Sequence, residues 1–291
     1  MILSTQNSAL VNRFGYRKSI EILAKAGYDA IDLSLFGHKE HEDFPFGSND
    51  IAFAKELKKI AEDNGVFFNQ AHAPFPSEKS GDDEYNKVSF ERVVRAIEIA
   101  GTVGARQIIV HPVCGFPCAE DCIKYNIDFY NRLVPYIKAA GVKVALENMW
   151  GYDDRRGHII PNYISFASEL ITCFDALDPE YFTVCLDVGH SPLVGEEPAH
   201  AICTLGHDRL GALHVHDVDY RNDLHTLPGM AKINWDAVCK ALADIDYKGE
   251  FTFEADVFLR GFDNDFVPEA AAYMCKVGRH LISKIEAYKN A

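Results

Sequence analysis

The chain has 291 residues, 48% hydrophobic and 25% charged, with a formal net charge of -14. That length suits one α/β barrel and buries a core without disulfides or a structural metal, and the composition excludes a disordered chain. Lys and Arg are scattered and no basic face is visible, so the acidic balance argues against a nucleic-acid partner.

Short β-branched runs alternate with longer stretches of helical spacing. The first run, Ile2–Thr5, precedes a helix over Lys18–Ala26. Ala30–Leu35 (AIDLSL) precedes a helix over 51–64, and Val66–Ala71 (VFFNQA) one over 84–103. Gln107–His111 (QIIVH) leads to 119–140, and Val142–Glu147 (VKVALE) to 163–177. Phe182–Asp187 (FTVCLD) leads to 197–205, Ala212–His216 (ALHVH) to 234–245, and Glu250–Glu254 (EFTFE) to 267–288.

Eight strand–helix units with no spare element predict a single (β/α)8 barrel domain over 1–291. Gly27, Gly65, Gly104 and Gly141 each fall between a helix and the next strand, where a left-handed residue ends a helix. No GxGxxG follows the first, second or third strand, which removes the doubly wound alternative. The final helix, with Met274, Val277, Leu281 and Ile285 on one stripe, is amphipathic and expected to pack on the barrel; homo-oligomer contacts through it stay open.

The eight cysteines could suggest disulfides, but the chain is not short. Residues 1–30 lack a basic segment followed by an apolar run, so reduced thiols and a cytoplasmic setting are expected. Cys114, Cys118 and Cys122 are four apart, which fits a helical stripe or loop packing rather than a CxxC metal site. No apolar stretch approaches membrane-spanning length, so no membrane partner is expected. Asp263 to Asp265 reads as a solvated turn.

Titratable side chains close strand after strand: His72, His111, Glu147, Asp187 with His190, His214 with His216, and Glu254. In a (β/α)8 barrel those ends converge on one mouth. Taken singly, each has an ordinary explanation, such as a satisfied structural His or an acid capping the next helix. Together, ALEN, CLDVGH, LHVHDVD and FTFEAD each set an acid or imidazole directly after buried-looking apolar residues. Unpaired buried carboxylates are costly and like charges repel, and a central divalent cation relieves both.

Several of these segments are similar to the xylose isomerase-like barrel superfamily, the sugar phosphate isomerase/epimerase group that also holds the endonuclease IV-type apurinic/apyrimidinic endonucleases. The resemblance runs from Asn69–Pro74 (NQAHAP) to Glu254. It is most specific at LENMW (146–150), LDVGH (186–190) and HVHDVDYRNDLHTLPGMAKINW (214–235). One departure is Met230-Ala231-Lys232 after Pro228-Gly229, where the run has a Gly-x-Gly-like turn; it bears on the local loop shape. The resemblance implies a metal set of Glu147, Asp187, His214 and Glu254, with the two glutamates as the acid/base pair and His190 contacting substrate hydroxyls. The endonuclease branch holds three zinc ions, and its extra ligands match His72, His111, His190, Asp223 and His225. His216 lies beside them as a further candidate for metal or substrate.

The chemistry these residues permit is proton transfer next to a carbonyl through a metal-stabilised enediolate. Three carboxylates and one imidazole favour Mn2+, Mg2+ or Co2+; if the surplus histidines also bind, Zn2+ fits better. One essential ion of the Mn2+ type is expected, with no organic cofactor. Trp150, Tyr152 and Phe116 are candidates for apolar walls or for capping the barrel mouth. Asp153, Arg156 and Arg221 are candidates for holding substrate, either Arg taking a phosphate or carboxylate, or else for surface ion pairs. The expected function is a sugar or sugar phosphate isomerase/epimerase. A keto-polyol dehydratase, a zinc-cluster phosphodiesterase and a non-catalytic sugar-binding barrel are the alternatives.

Overall fold

The computed structural model describes residues 1–36, 44–162 and 164–290. Eight parallel strands form one sheet. They are β1 (Leu3–Gln6), β2 (Ala30–Ser34), β3 (Phe67–His72), β4 (Gln107–Ile109), β5 (Lys143–Glu147), β8 (Phe182–Asp187), β9 (Leu210–His214) and β10 (Phe251–Phe253). Apart from Phe67, Lys143 and Gly211 they are buried throughout, which is why they read as continuous apolar runs rather than as alternating ones. The sheet order is β10-β1-β2-β3-β4-β5-β8-β9. A parallel bridge between Val215 and Phe253 closes it, with Val215 N donating to Thr252 O at 2.9 Å and Glu254 N to Val215 O at 3.1 Å.

The connecting helices are α1 (Ser8–Ala26), α2 (Asp50–Asp63), α3 (Asp83–Val103), α4 (Ala119–Ala140), α5 (Ala167–Phe174), α7 (Pro198–Arg209), α8 (Trp235–Asp244) and α10 (Val267–Lys289). Gly27, Gly65, Gly104 and Gly141 have φ of 99°, 75°, 85° and 68°, so the left-handed conformation expected at each helix-to-strand turn is there. α10 buries Met274, Leu281 and Ile285 against the barrel. Its Gly278 has no room for a Cβ, because Leu3 and Phe253 press on that position.

Three features depart from the reading of the sequence. α1 begins at Ser8, not Lys18, because Gly15 (φ 78°, ψ 168°) breaks it and hides the periodicity of its first half. β9 begins at Leu210, two residues early, and only a single bridge continues it at Val215. The loop after β5 is an antiparallel hairpin, β6 (Trp150–Asp153) with β7 (His158–Pro161), and α5 then starts at Ala167 rather than 163. Two short helices, α6 (His190–Leu193) and α9 (Asp256–Arg260), follow β8 and β10 directly. Among the described residues no helix is long and apolar enough to cross a membrane.

Candidate metal centre

Parallel strands in register deliver their last residues to one rim. Glu147 ends β5, Asp187 ends β8, His214 ends β9, and Glu254 follows β10. One ligand atom from each lies within 4.8 Å of every other. All four are buried, Glu147, Asp187 and His214 almost completely. His214 Nδ1 is 2.8 Å from Glu147 Oε1 and 3.2 Å from Glu254 Oε2. Neighbouring side chains hold this arrangement: Gln6 Nε2 donates to Glu254 Oε1 at 2.6 Å, and Asn148 Oδ1 accepts from Asp187 N at 2.7 Å.

Two further groups flank it. His72, His111 and Glu147 form one, with His111 Nε2 3.0 Å and His72 Nε2 3.7 Å from Glu147 Oε2. His190, His216, Asp223 and His225 form the other. Asp223 Oδ2 lies 3.1 Å from His225 Nε2 and 3.6 Å from His190 Nε2, and Trp150 Nε1 donates to it at 3.2 Å. His216 Nε2 sits 3.0 and 3.1 Å from the two oxygens of Asp187. The structure thus brings together every strand-end acid and imidazole singled out in the sequence. Cys185 lies beside Glu147 and His214, and burial pushes its thiol well above the ordinary range.

The electrostatics suit a cation. Burial alone would raise Glu147, yet His214 and His111 hold it well below the usual carboxylate range; His214 and His225 do the same for Glu254. Burial would lower His190, but Asp187 and Asp223 outweigh it and raise it to about 10. Against the cost of burial, His214 is likewise raised by Cys185, Glu254 and Glu147 and His225 by Asp223 and Glu254, whereas for His111 burial wins. Imidazolium charge balances these acids where a divalent ion could. Asp223 Oδ1 and His216 Nδ1 are buried without a hydrogen-bond partner, as free ligand atoms would be.

The loop that carries Asp223 and His225 is organised by Asp217, a residue not singled out in the sequence. Its fully buried carboxylate accepts from the main-chain N–H of Val218, Gly229, Ala231, Lys232 and Ile233 and from Trp235 Nε1, at 2.8–3.1 Å. The Met230-Ala231-Lys232 departure therefore leaves the turn pinned. His225 has φ 41° and is held there by Nδ1, 2.8 Å from Glu254 O. Gly189 is needed for a different reason: a Cβ there would run into the His216 ring.

Above the centre opens a cavity of about 570 Å³. Phe36, Phe75, Met149 and Trp150 give it an apolar wall, and Gln6, Ser8, Asp256 and Arg260 line another side. Of the expected wall residues only Trp150 lines it. Tyr152 is exposed on the β6–β7 hairpin, and Phe116 packs on Tyr125 with ring centroids 4.9 Å apart. Asp153, Arg156 and Arg221 do not reach the cavity either. Arg156 Nε pairs with Asp153 Oδ2 at 3.4 Å on the hairpin, a surface ion pair, and Arg221 is exposed on the loop after β9. Among the described residues the Lys or Arg side chain that lines the cavity is Arg260, tied to Asp256 at 2.6 Å. None of the eight cysteines is in a disulfide; Cys122 is buried and donates to Val113 O, and Cys118 is exposed just before α4.

Comparison with known proteins gives the following. The family model described as xylose isomerase-like TIM barrel matches residues 20–274. A D-psicose 3-epimerase of Ruminiclostridium cellulolyticum is 25% identical over 261 residues, 84% of this chain and 80% of that one. A protein of Bacillus velezensis named "Probable endonuclease 4" is 28% identical over 194 residues, 61% of this chain and 62% of that one. The crystal structure of a D-tagatose 3-epimerase-like protein superposes with a TM-score of 0.77 at 20% identity, covering 99% of both chains.

Proposed function

The chain belongs to the xylose isomerase-like TIM barrel family, and from that premise we propose that it is a divalent-metal-dependent isomerase or epimerase of a sugar or sugar phosphate. The observation that carries this reading is the convergence of Glu147 and Glu254 on His214 Nδ1, at 2.8 and 3.2 Å, at the floor of a cavity of about 570 Å³. The epimerase relatives support the substrate class.

A divalent cation held by Glu147, Asp187, His214 and Glu254 would supply Lewis-acid stabilisation of the developing enediolate oxygen. The protein's own groups do the rest. The apolar wall of Phe36, Phe75, Met149 and Trp150 excludes water and seats the carbon face of a small sugar. Glu147 and Glu254 exchange the proton on the carbon next to the carbonyl. Neighbouring histidines hold both below the usual carboxylate range, which favours the ionised form that takes up the proton. Working from opposite faces, the ionised carboxylate removes the proton and the other, entering the step protonated, delivers its own, which inverts the centre and exchanges their protonation states. One carboxylate working alone on one face moves the proton between adjacent carbons and interconverts aldose and ketose.

Metal analysis of the purified protein, paired with proton–deuterium exchange into a panel of ketoses and their phosphates, tests this reading. Metal-dependent exchange at the carbon beside the carbonyl is expected; its absence across the panel overturns the assignment. Loss of water from a keto-polyol in the same assay would identify a dehydratase working through the same enediolate.

The two flanking groups favour a second reading, a multi-metal phosphodiesterase. His72, His111, His190, Asp223 and His225 are a fuller donor set than one ion needs. Nicking of abasic plasmid DNA by the zinc-loaded protein, with no exchange into ketoses, would select it.

A further inference from the structure

The two ring nitrogens of His214 face different surroundings. Nδ1 looks towards Glu147 and Glu254, at 2.8 and 3.2 Å. Nε2 looks into the barrel, 3.5 Å from Asp32 Oδ2 and 3.1 Å from Gln70 Nε2. Of these two inner neighbours only Asp32 can accept a proton's hydrogen bond. The Gln70 amide nitrogen is a donor with two protons, one given to Asp32 Oδ2 at 3.0 Å and one facing His214 Nε2, so an Nε2 that carries a proton must turn its hydrogen bond from Gln70 to Asp32 Oδ2.

Asp32 is an expensive residue for its place. It lies in mid-strand on β2, fully buried, beside a register shift between Ile31 and Asp32. Its Oδ1 has no hydrogen-bond partner. A carboxylate out of water with so few donors costs several kcal/mol on general grounds, and a neutral residue of the same size would pack there at less cost. The charge therefore calls for a reason, and the imidazole facing it supplies one.

We propose that Asp32 is the positioning residue of the metal centre: it holds the proton of His214 on Nε2, which commits Nδ1 as the ligating nitrogen and fixes the plane of the ring. This rests on the reading that Glu147, Asp187, His214 and Glu254 hold a divalent ion. Imidazole can ligate only through a nitrogen that carries no proton, so the other nitrogen needs a lasting acceptor. The inner carboxylate is that acceptor. The Gln70 amide orients Asp32, and Gln107 Nε2 in turn reaches Gln70 Oε1 at 3.5 Å, so the support extends across β2, β3 and β4.

The test uses full-length protein with 15N-labelled histidine, loaded with Zn2+. The expected spectrum shows His214 protonated on Nε2, with slow solvent exchange of that proton, and ligating through Nδ1. In Asp32→Asn, Zn2+ affinity by chelator competition should fall about 10- to 100-fold, with circular dichroism unchanged and faster exchange at Nε2. A folded Asp32→Asn protein that binds Zn2+ as tightly as wild type overturns the proposal while leaving the metal reading intact. Wild-type protein that takes up no Zn2+, Mn2+ or Co2+ overturns both. Should Asp32→Asn fail to fold, the wild-type spectrum decides alone, and a proton found on Nδ1 of the loaded protein is the overturning result.

Discussion

The rings of His216 and His225 are stacked, 4.0 Å between centroids and 7° between planes. That stack ties the loop after β9 to the floor of the mouth and sets His225 beside Asp223 and His190. Its consequence can be counted in ions. His225→Ala and His72→Ala should each lower the number of ions bound at saturating Zn2+ relative to wild type, while the tightest ion stays bound. Elemental analysis with competition titration checks this. If wild type and both variants hold a single ion with equal affinity, the flanking groups do not bind metal.

Proton transfer is the second prediction. Glu147→Gln and Glu254→Gln should each lower deuterium exchange into a ketose substrate by about 10²–10⁴-fold. Cys118→Ala, at an exposed site before α4, should exchange as wild type does. Exchange rates by NMR on metal-saturated protein decide it, since loss of the ion would otherwise mimic loss of the base.

Proton linkage gives a third. In the ion-free protein His190 is raised to about 10 by Asp187 and Asp223, against burial. A group whose folded pKa lies above its unfolded value adds stability that is fully present below the ordinary histidine range, near about 6.5, and is lost as pH rises through the folded value. Ion-free protein should therefore lose melting temperature as pH climbs from about 6.5 to 10. Zn2+ uptake at pH 7 should release protons, and apparent affinity should weaken as pH falls. Thermal scans across that range, and calorimetry in buffers of different ionisation enthalpy, measure both.

Asp217→Ala should cost at least about 3 kcal/mol, because six donors, those of Val218, Ile233 and Trp235 buried, lose one shared acceptor. Denaturant unfolding measures the loss. Hydrogen exchange should locate it at the amides of Gly229 and Ala231 to Ile233.

Substrate charge is the fifth prediction. Arg156→Ala and Arg221→Ala, outside the cavity, should leave kcat/KM unchanged. Arg260→Ala should lower it roughly tenfold for a phosphorylated or acidic sugar and leave a neutral sugar unaffected. Parallel kinetics on one neutral ketose and its phosphate separate the two cases.

The barrel was legible because its strands are buried on both faces and its first four helices are followed by left-handed glycines; both leave a mark in linear sequence. The rim residues were legible because parallel strands in register align their last positions, so a polar residue after each apolar run is already a spatial statement. What the sequence hid was of two kinds. Arg156 and Arg221 sit in loops whose path no local pattern fixes, and the β6–β7 hairpin carries Arg156 and Tyr152 away from the mouth. Gln6, Asp32, Gln70 and Asp217 act from inside or beneath the site. A signal existed for Asp32 and Gln70: an acid within AIDLSL and an amide within VFFNQA are costly unless something in the barrel interior uses them.

Because Asp217 engages its loop almost wholly through main-chain N–H groups, it is indifferent to which side chains that loop bears. Met230 points into solvent, 60% exposed, and its replacement disturbs none of those bonds. Positions 230–232 can thus drift in evolution, or accept grafted recognition residues by design, while the rim beneath keeps its shape.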